Sequence, residues 1–235
     1  MKRFPGSWLL RWVCRALPVL LGVTVLLVLV FRWVAPPTTA FMLEKRISRW
    51  AGGGTATAIR YRWTDWKEIA SSMRLAVVAA EDQKFPRHWG FDLESIVEAV
   101  EHSGVSGRPR GASTITQQVA RNLFLWSGRS YLRKGLEAYF TILLELCWPK
   151  RRTLEMYLNI AEFGEGIYGV GAAAPAFFGK RPRELHAEEA ALLAAVLPNP
   201  SRFHVRNPSA YVRERASWIG VQMGRLGGVS YLRDL

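Results

Sequence analysis

Apolar and polar positions divide the chain into stretches with different periodicities. From Ala16 to Phe31 no charged residue interrupts the apolar run, and Arg32 with Trp33 closes it. Extended back to Trp12 and forward to Val34, the run has about the length a helix needs to cross a bilayer. Residues 16–34 are therefore read as a transmembrane helix. Lys2, Arg3, Arg11 and Arg15 precede it, and a basic flank predicts that residues 1–15 stay in the cytoplasm. A cleaved signal peptide is the weaker alternative, because Pro36 and Pro37 sit awkwardly beside the small residues Ala35 and Ala40. With an uncleaved anchor, everything from about Ala35 onward lies outside the plasma membrane.

Residues 35–65 read as a juxtamembrane segment. Within it Thr39 to Trp50 predicts a short amphipathic helix, with Leu43, Ile47 and Trp50 on one face, ended by Gly52-Gly53-Gly54. From Trp66 to the C-terminus the spacing becomes strongly helical, giving one domain over 66–235. Helices are predicted from about Trp66 to between Glu81 and Lys84, where Pro86 pushes Phe85 out of helical geometry. Others follow from Leu93 to His102, Thr114 to Leu125, Tyr131 to Trp148, Thr153 to Phe163, Ala187 to Leu197 and Ala210 to Leu226. Ser103 to Gly111 reads as a mobile basic loop. Extended alternation is nearly absent, so the expected fold is mainly α.

Charge changes the picture more than composition does. Thirty-two Lys and Arg against nineteen Asp and Glu give a net charge of +13, which implies a polyanionic partner. An exported domain makes nucleic acid a poor candidate, so the charge is assigned to phosphates on lipid. The two cysteines, Cys14 and Cys147, are far apart and form no metal-binding spacing. Cys147 is expected to be a buried, inert thiol.

Four segments could carry chemistry. Glu81 closes the apolar helix Leu75-Ala-Val-Val-Ala-Ala-Glu and opens the run Glu81-Asp82-Gln83-Lys84-Phe85-Pro86-Arg87-His88-Trp89-Gly90-Phe91-Asp92. A carboxylate at a helix C-terminus, partly desolvated, has a raised pKa and suits a general base; the run also reads as a solvated salt-bridge cluster before a turn. In Gly111-Ala112-Ser113-Thr114-Ile115-Thr116-Gln117-Gln118, Thr114 and Gln117 fit a capping box behind a glycine loop. Such a helix N-terminus suits phosphate oxygens. Thr114, Gln118, Arg121 and Asn122 then share one face. Arg133, Lys134 and Glu137 can converge at i, i+3 and i, i+4, as a surface ion-pair network or as a cationic clamp for a diphosphate. Leu154-Glu155-Met156-Tyr157-Leu158-Asn159, with the glycines from Gly164 to Gly171, reads as a tight structural turn against the core.

These four segments, in this order, resemble the family 51 peptidoglycan glycosyltransferase domain of class A penicillin-binding proteins and of monofunctional biosynthetic transglycosylases. The patterns EDxxFxxHxGxD, GxSTxTQQ, RKxxE and LExYLN are matched over about Trp66 to Leu226. The resemblance implies a lysozyme-like α-helical fold with a smaller membrane-facing lobe. It implies polymerisation of lipid II into glycan strands by inverting glycosyl transfer, with release of undecaprenyl diphosphate. Glu81 would deprotonate the acceptor hydroxyl. Glu137, with Arg133 and Lys134, would assist departure of the diphosphate, directly or through a divalent ion such as Mg or Mn; no other cofactor is implied. Asp82, Phe85, His88, Ser113, Thr114, Gln117, Gln118 and Asn122 would shape the substrate sites. Arg121 stands where the family commonly has lysine, which leaves its diphosphate contact open.

The chemistry makes sense of this set. Inversion needs a base on one side of the sugar and charge neutralisation on the other, and Arg121, Arg133 and Lys134 are the available cations. Leu123-Phe124-Leu125-Trp126, near Arg129, is expected as a patch that dips into the membrane interface. No Ser-x-x-Lys or Lys-Thr-Gly occurs, so the chain reads as monofunctional. A lysozyme-type lytic enzyme would need no diphosphate clamp. A non-catalytic scaffold of the cell-wall machinery, recruited by division proteins, would not need both Glu81 and Glu137. The expected location is the bacterial inner membrane, single-pass, with the catalytic domain in the periplasm.

Overall fold

The computed structural model describes residues 6–52, 58–94 and 113–235. The chain divides into two units, Met1–Pro36 and Pro37–Leu235. The first is one helix, α1 (Gly6–Phe31), which runs through Pro18 without breaking. Its window Cys14–Phe31 has a mean hydropathy of 2.4. At about 1.5 Å per residue the helix is long enough to cross a bilayer, and it suggests a membrane anchor. It ends at Phe31 rather than at Val34.

In the second unit α3 (Ser71–Glu81) is the central element. Met73, Leu75, Ala76, Val77, Val78 and Ala79 are all buried, so α3 is covered on every side and shows no amphipathic stripe. A helix without a wet face is a core helix. It packs against α8 (Ala187–Val196) and α9 (Ala210–Arg225). Ala190, Ala191, Ala194 and Ala195 of α8 are buried, and these short side chains allow close helix approach. The pair α4 (Ile115–Phe124) and α5 (Tyr131–Cys147) lies beside α6 (Lys150–Ile160).

Two elements depart from the helical reading. The stretch after α6 is a small sheet: β2 (Glu162–Gly164) pairs antiparallel with β3 (Ile167–Tyr168), which pairs parallel with β1 (Arg60–Tyr61). The glycine run then opens a further helix, α7 (Val170–Phe178). Gly169 has φ +76°, and a Cβ there would meet the Asn159 carbonyl oxygen at 2.3 Å. The tight turn against the core is thus present, but it leads into a helix. The segment 66–70 is a 3-10 turn, Trp66–Glu68, and α3 begins only at Ser71.

α2 (Ala40–Gly52) falls in the same compact unit, Pro37–Leu235, as the residues from Trp66 onward. Glu44 accepts hydrogen bonds from Ser127 N (2.8 Å) and Ser127 Oγ (2.6 Å), and Lys45 pairs with Glu162. Leu43, Ile47 and Trp50 are exposed, and Met42 is the buried apolar residue of this helix. The expected apolar patch 123–126 is not continuous. Leu123 and Leu125 are buried, and the Phe124 ring stacks on Phe140 at 4.4 Å, leaving Trp126 as its exposed residue. Cys147 is half-buried rather than buried. The expected helix 93–102, apart from Leu93 and Glu94, and the loop 103–111 lie outside the described residues.

Candidate active site

Glu81 is the last residue of α3, and Asp82 is its C-cap. The chain turns there and delivers the following residues to the N-terminus of α4. Asp82 Oδ2 accepts from the Ile115 N–H at 2.9 Å, and both its oxygens lie near His88 Nε2, at 2.9 and 3.0 Å. Thr114 donates to the Gly90 carbonyl (2.6 Å) and forms the expected reciprocal capping box with Gln117. Gly90 has φ +73°, and a Cβ there would press on Thr141 Cγ2 at 2.7 Å.

The N–H of Ile115 is taken by Asp82, and those of Thr114 and Gln117 by each other's side chains. The anion favoured at a helix N-terminus is here supplied by the protein. Asp82, Thr114 and Gln117, expected at the substrate, join two segments of scaffold through these contacts. Phe85 is wholly buried, with the Lys150 ammonium 4.7 Å from its ring centroid, and so belongs to the core. His88 is directed to Asp82, whereas Ser113 is exposed.

The structure does bring Glu81 and Gln118 together. Gln118 Nε2 donates to Glu81 Oε2 at 2.8 Å, and Tyr157 Oη donates to Gln118 Oε1 at 3.1 Å. The tyrosine thus fixes which end of the amide faces the carboxylate. Glu81 Oε1 is buried and has no hydrogen-bond partner; the Arg215 guanidinium lies 3.9 Å from it. Burial pushes the Glu81 carboxyl up from its ordinary range, Asp82 adds to the rise, and Gln118, Arg215 and Arg121 pull it back. Burial likewise raises the Tyr157 phenol, so it remains a donor. Arg121 donates through Nε to Asn122 Oδ1 at 3.2 Å, and its guanidinium lies over Phe41 of α2 at 5.5 Å.

Tyr157 was missed at the site because the segment 154–159 reads as structure, and structure is most of what it is. Asn159 pairs with the backbone of Thr64 through Oδ1 (2.7 Å) and Nδ2 (2.9 Å), and Glu155 accepts from Trp66 N at 2.6 Å. Tyr157 lies between them in sequence and turns to Gln118. Tyr157→Phe is expected to keep the fold, to lower the melting temperature by about 2–4 °C, and to slow turnover about 3- to 10-fold, the worth of one hydrogen bond. A turnover assay and circular dichroism on the same preparation check both halves.

The expected cation cluster is also assembled. Arg133 Nη1 is 2.6 Å from Glu137 Oε2, and Lys134 pairs with Oε1. Glu137 is 3% exposed, whereas the Lys134 side chain is 53% exposed. Arg133 Nε is buried without a hydrogen-bond partner. Because both carboxylate oxygens are held by cations, the donor set does not fit a divalent ion. Among the described residues no group of three or more His, Cys, Asp or Glu side chains could hold one. The two carboxylates are not adjacent. Thr116 donates to Glu145 and Phe124 stacks on Phe140, so α4 and α5 run antiparallel. Glu137 therefore lies about six residues along α5 from the level of Gln118, or about 9 Å at 1.5 Å rise.

A protein-family model described as Transglycosylase matches residues 49–224. A protein of Pseudomonas fluorescens named biosynthetic peptidoglycan transglycosylase is 54% identical over 226 residues, 96% of this chain and 94% of its own length. Proteins of the same name from Stutzerimonas stutzeri and Xanthomonas oryzae pv. oryzae are 53% and 51% identical, covering 92% and 95% of this chain and 89% and 91% of their own.

Proposed function

Because the chain belongs to the transglycosylase family, whose catalytic domain is lysozyme-like, we propose that it polymerises lipid II at the outer face of the plasma membrane, with Glu81 as general base. The coarser reaction, glycosyl transfer in peptidoglycan synthesis, follows from the family itself. The observation that carries the finer reading is the Glu81 carboxylate: buried, fixed through one oxygen by Gln118, and free at the other. In this reading Oε1 removes the proton from the acceptor hydroxyl. The hydroxyl oxygen attacks the anomeric carbon of the donor from the face opposite the diphosphate. The carbon–oxygen bond to the diphosphate breaks, its electron pair leaves with undecaprenyl diphosphate, and the α linkage becomes β.

Arg133 and Lys134 are the cations for the departing diphosphate, and Glu137 sets their positions without a metal. Lys134 is the accessible member, and Arg133 retains an unfilled Nε donor. The apolar α1 holds the enzyme on the surface where its lipid-borne substrate moves, with the N-terminus in the cytoplasm and the domain in the periplasm. Purified full-length protein given labelled lipid II is expected to make a ladder of strands, release undecaprenyl diphosphate and leave preformed glycan uncut. Cleavage of glycan without strand growth would replace this reading with a lytic one. Folded protein that does neither would leave the scaffold reading standing.

A further inference from the structure

We propose that Arg215 is a positioning residue for the general base, holding Glu81 ionised from α9 without occupying the oxygen that takes the proton. The inference rests on Glu81 being the base. A base in this position has two requirements that conflict. It must be desolvated to be reactive, yet a desolvated carboxylate tends to bind a proton and so cease to be a base. A direct hydrogen bond to Oε1 would relieve the second problem by blocking the lone pair the reaction needs.

The geometry avoids that conflict. The Arg215 guanidinium is 3.9 Å from Glu81 Oε1, an ion-pair distance but beyond a hydrogen bond. It is steadied by the Ala80 carbonyl, 3.5 Å from Nη2, and its Nε is buried without a partner. The charge is therefore close while Oε1 remains unbonded. Of the other charged groups facing Glu81, only Arg121 acts in the same direction, and less strongly than Arg215. Asp82, next in sequence, is an anion and works the other way. From α4, Gln118 holds Oε2, and Arg121 is drawn aside to Asn122 and Phe41. From α6 comes Tyr157, a neutral phenol whose hydroxyl is bonded to Gln118. Arg213, two residues before Arg215 and thus on another face of α9, bonds the Pro208 carbonyl instead.

The test is the pH dependence of kcat/KM for the full-length enzyme and three variants. Arg215→Gln is expected to lose about tenfold or more against the parent near the acid end, about pH 5.5, and to recover to within about threefold near pH 8.5. Arg215→Lys keeps a cation and is expected to follow the parent within about threefold throughout. Arg213→Gln, which removes a charge from the same helix, should match the parent. A loss by the same factor at every pH, or an unshifted acid limb, would overturn the proposal. If the glutamine variant does not fold, Arg215→Met, which also removes the charge, is read on the same criterion. Carbon-13 titration of Glu81, assigned by difference from Glu81→Gln, reads the shift without substrate. Failure of the proposed reaction, with no strands from the parent, is thus distinguishable from failure of this inference.

Discussion

Glu81→Gln is expected to lower the rate of strand synthesis by about 10³-fold, within the range for loss of a general base. The variant isolates the chemistry well, because its side-chain carbonyl can still accept the Gln118 hydrogen bond that fixes Oε2. What changes is the other atom: an amide nitrogen replaces Oε1 and cannot take a proton. The same variant is expected to melt about 2–4 °C higher at neutral pH, a gain of roughly 1 kcal/mol. The sign follows from the raised carboxyl. As pH rises above the ordinary carboxylate range, the unfolded chain ionises first, and the native state loses stability until its own, higher value is passed. Glutamine removes that loss, so its advantage is largest at neutral pH and vanishes in acid below the ordinary range. Near-parental polymerisation by this variant would remove Glu81 from the role of base. A lower melting temperature at neutral pH would contradict the burial argument.

Gly171→Ala is expected to be severely damaging for so small a substitution, costing about 3 kcal/mol or more and lowering the melting temperature by roughly 6–12 °C. A Cβ at this position would lie 2.2 Å from the Arg62 carbonyl oxygen and 2.3 Å from Thr64 Oγ1. The nearer atom is backbone and cannot rotate away. Arg62 follows β1, and Thr64 is held at both its N–H and its carbonyl by Asn159. The strain would therefore pass into α6, which also carries Tyr157. A thermal melt beside the parent checks this, and an unchanged midpoint would mean that α7 can slide outward at little cost.

Where the chemistry is local, the sequence reveals it. The Thr114–Gln117 capping box and the convergence of Arg133 and Lys134 on Glu137 are three- and four-residue relations, visible as spacing. The raised Glu81 carboxyl follows from the apolar run that ends at it. Nonlocal relations leave no such trace. Asp82 could be read as a substrate ligand because nothing nearby in sequence announces Ile115, its partner 33 residues away. Arg215 lies 134 residues from Glu81 in a helix whose spacing speaks only for packing. The sheet escaped for a different reason: strands of two and three residues are too short for a period of two to appear. Phe85, a motif residue expected at the substrate site, is wholly buried, a burial its polar neighbours in sequence do not announce.

The cations at Glu137 are never without an anion, and this gives the site a threshold. An arriving group competes for their charge with a carboxylate already seated between Arg133 and Lys134. A singly charged visitor gains little in that competition, since it sets one negative charge against another. A diphosphate brings more charge and more acceptor oxygens than the carboxylate it competes with, and so can prevail. In the proposed reaction Glu137 would act in this way as an internal place-holder, favouring dense anions over weaker ones.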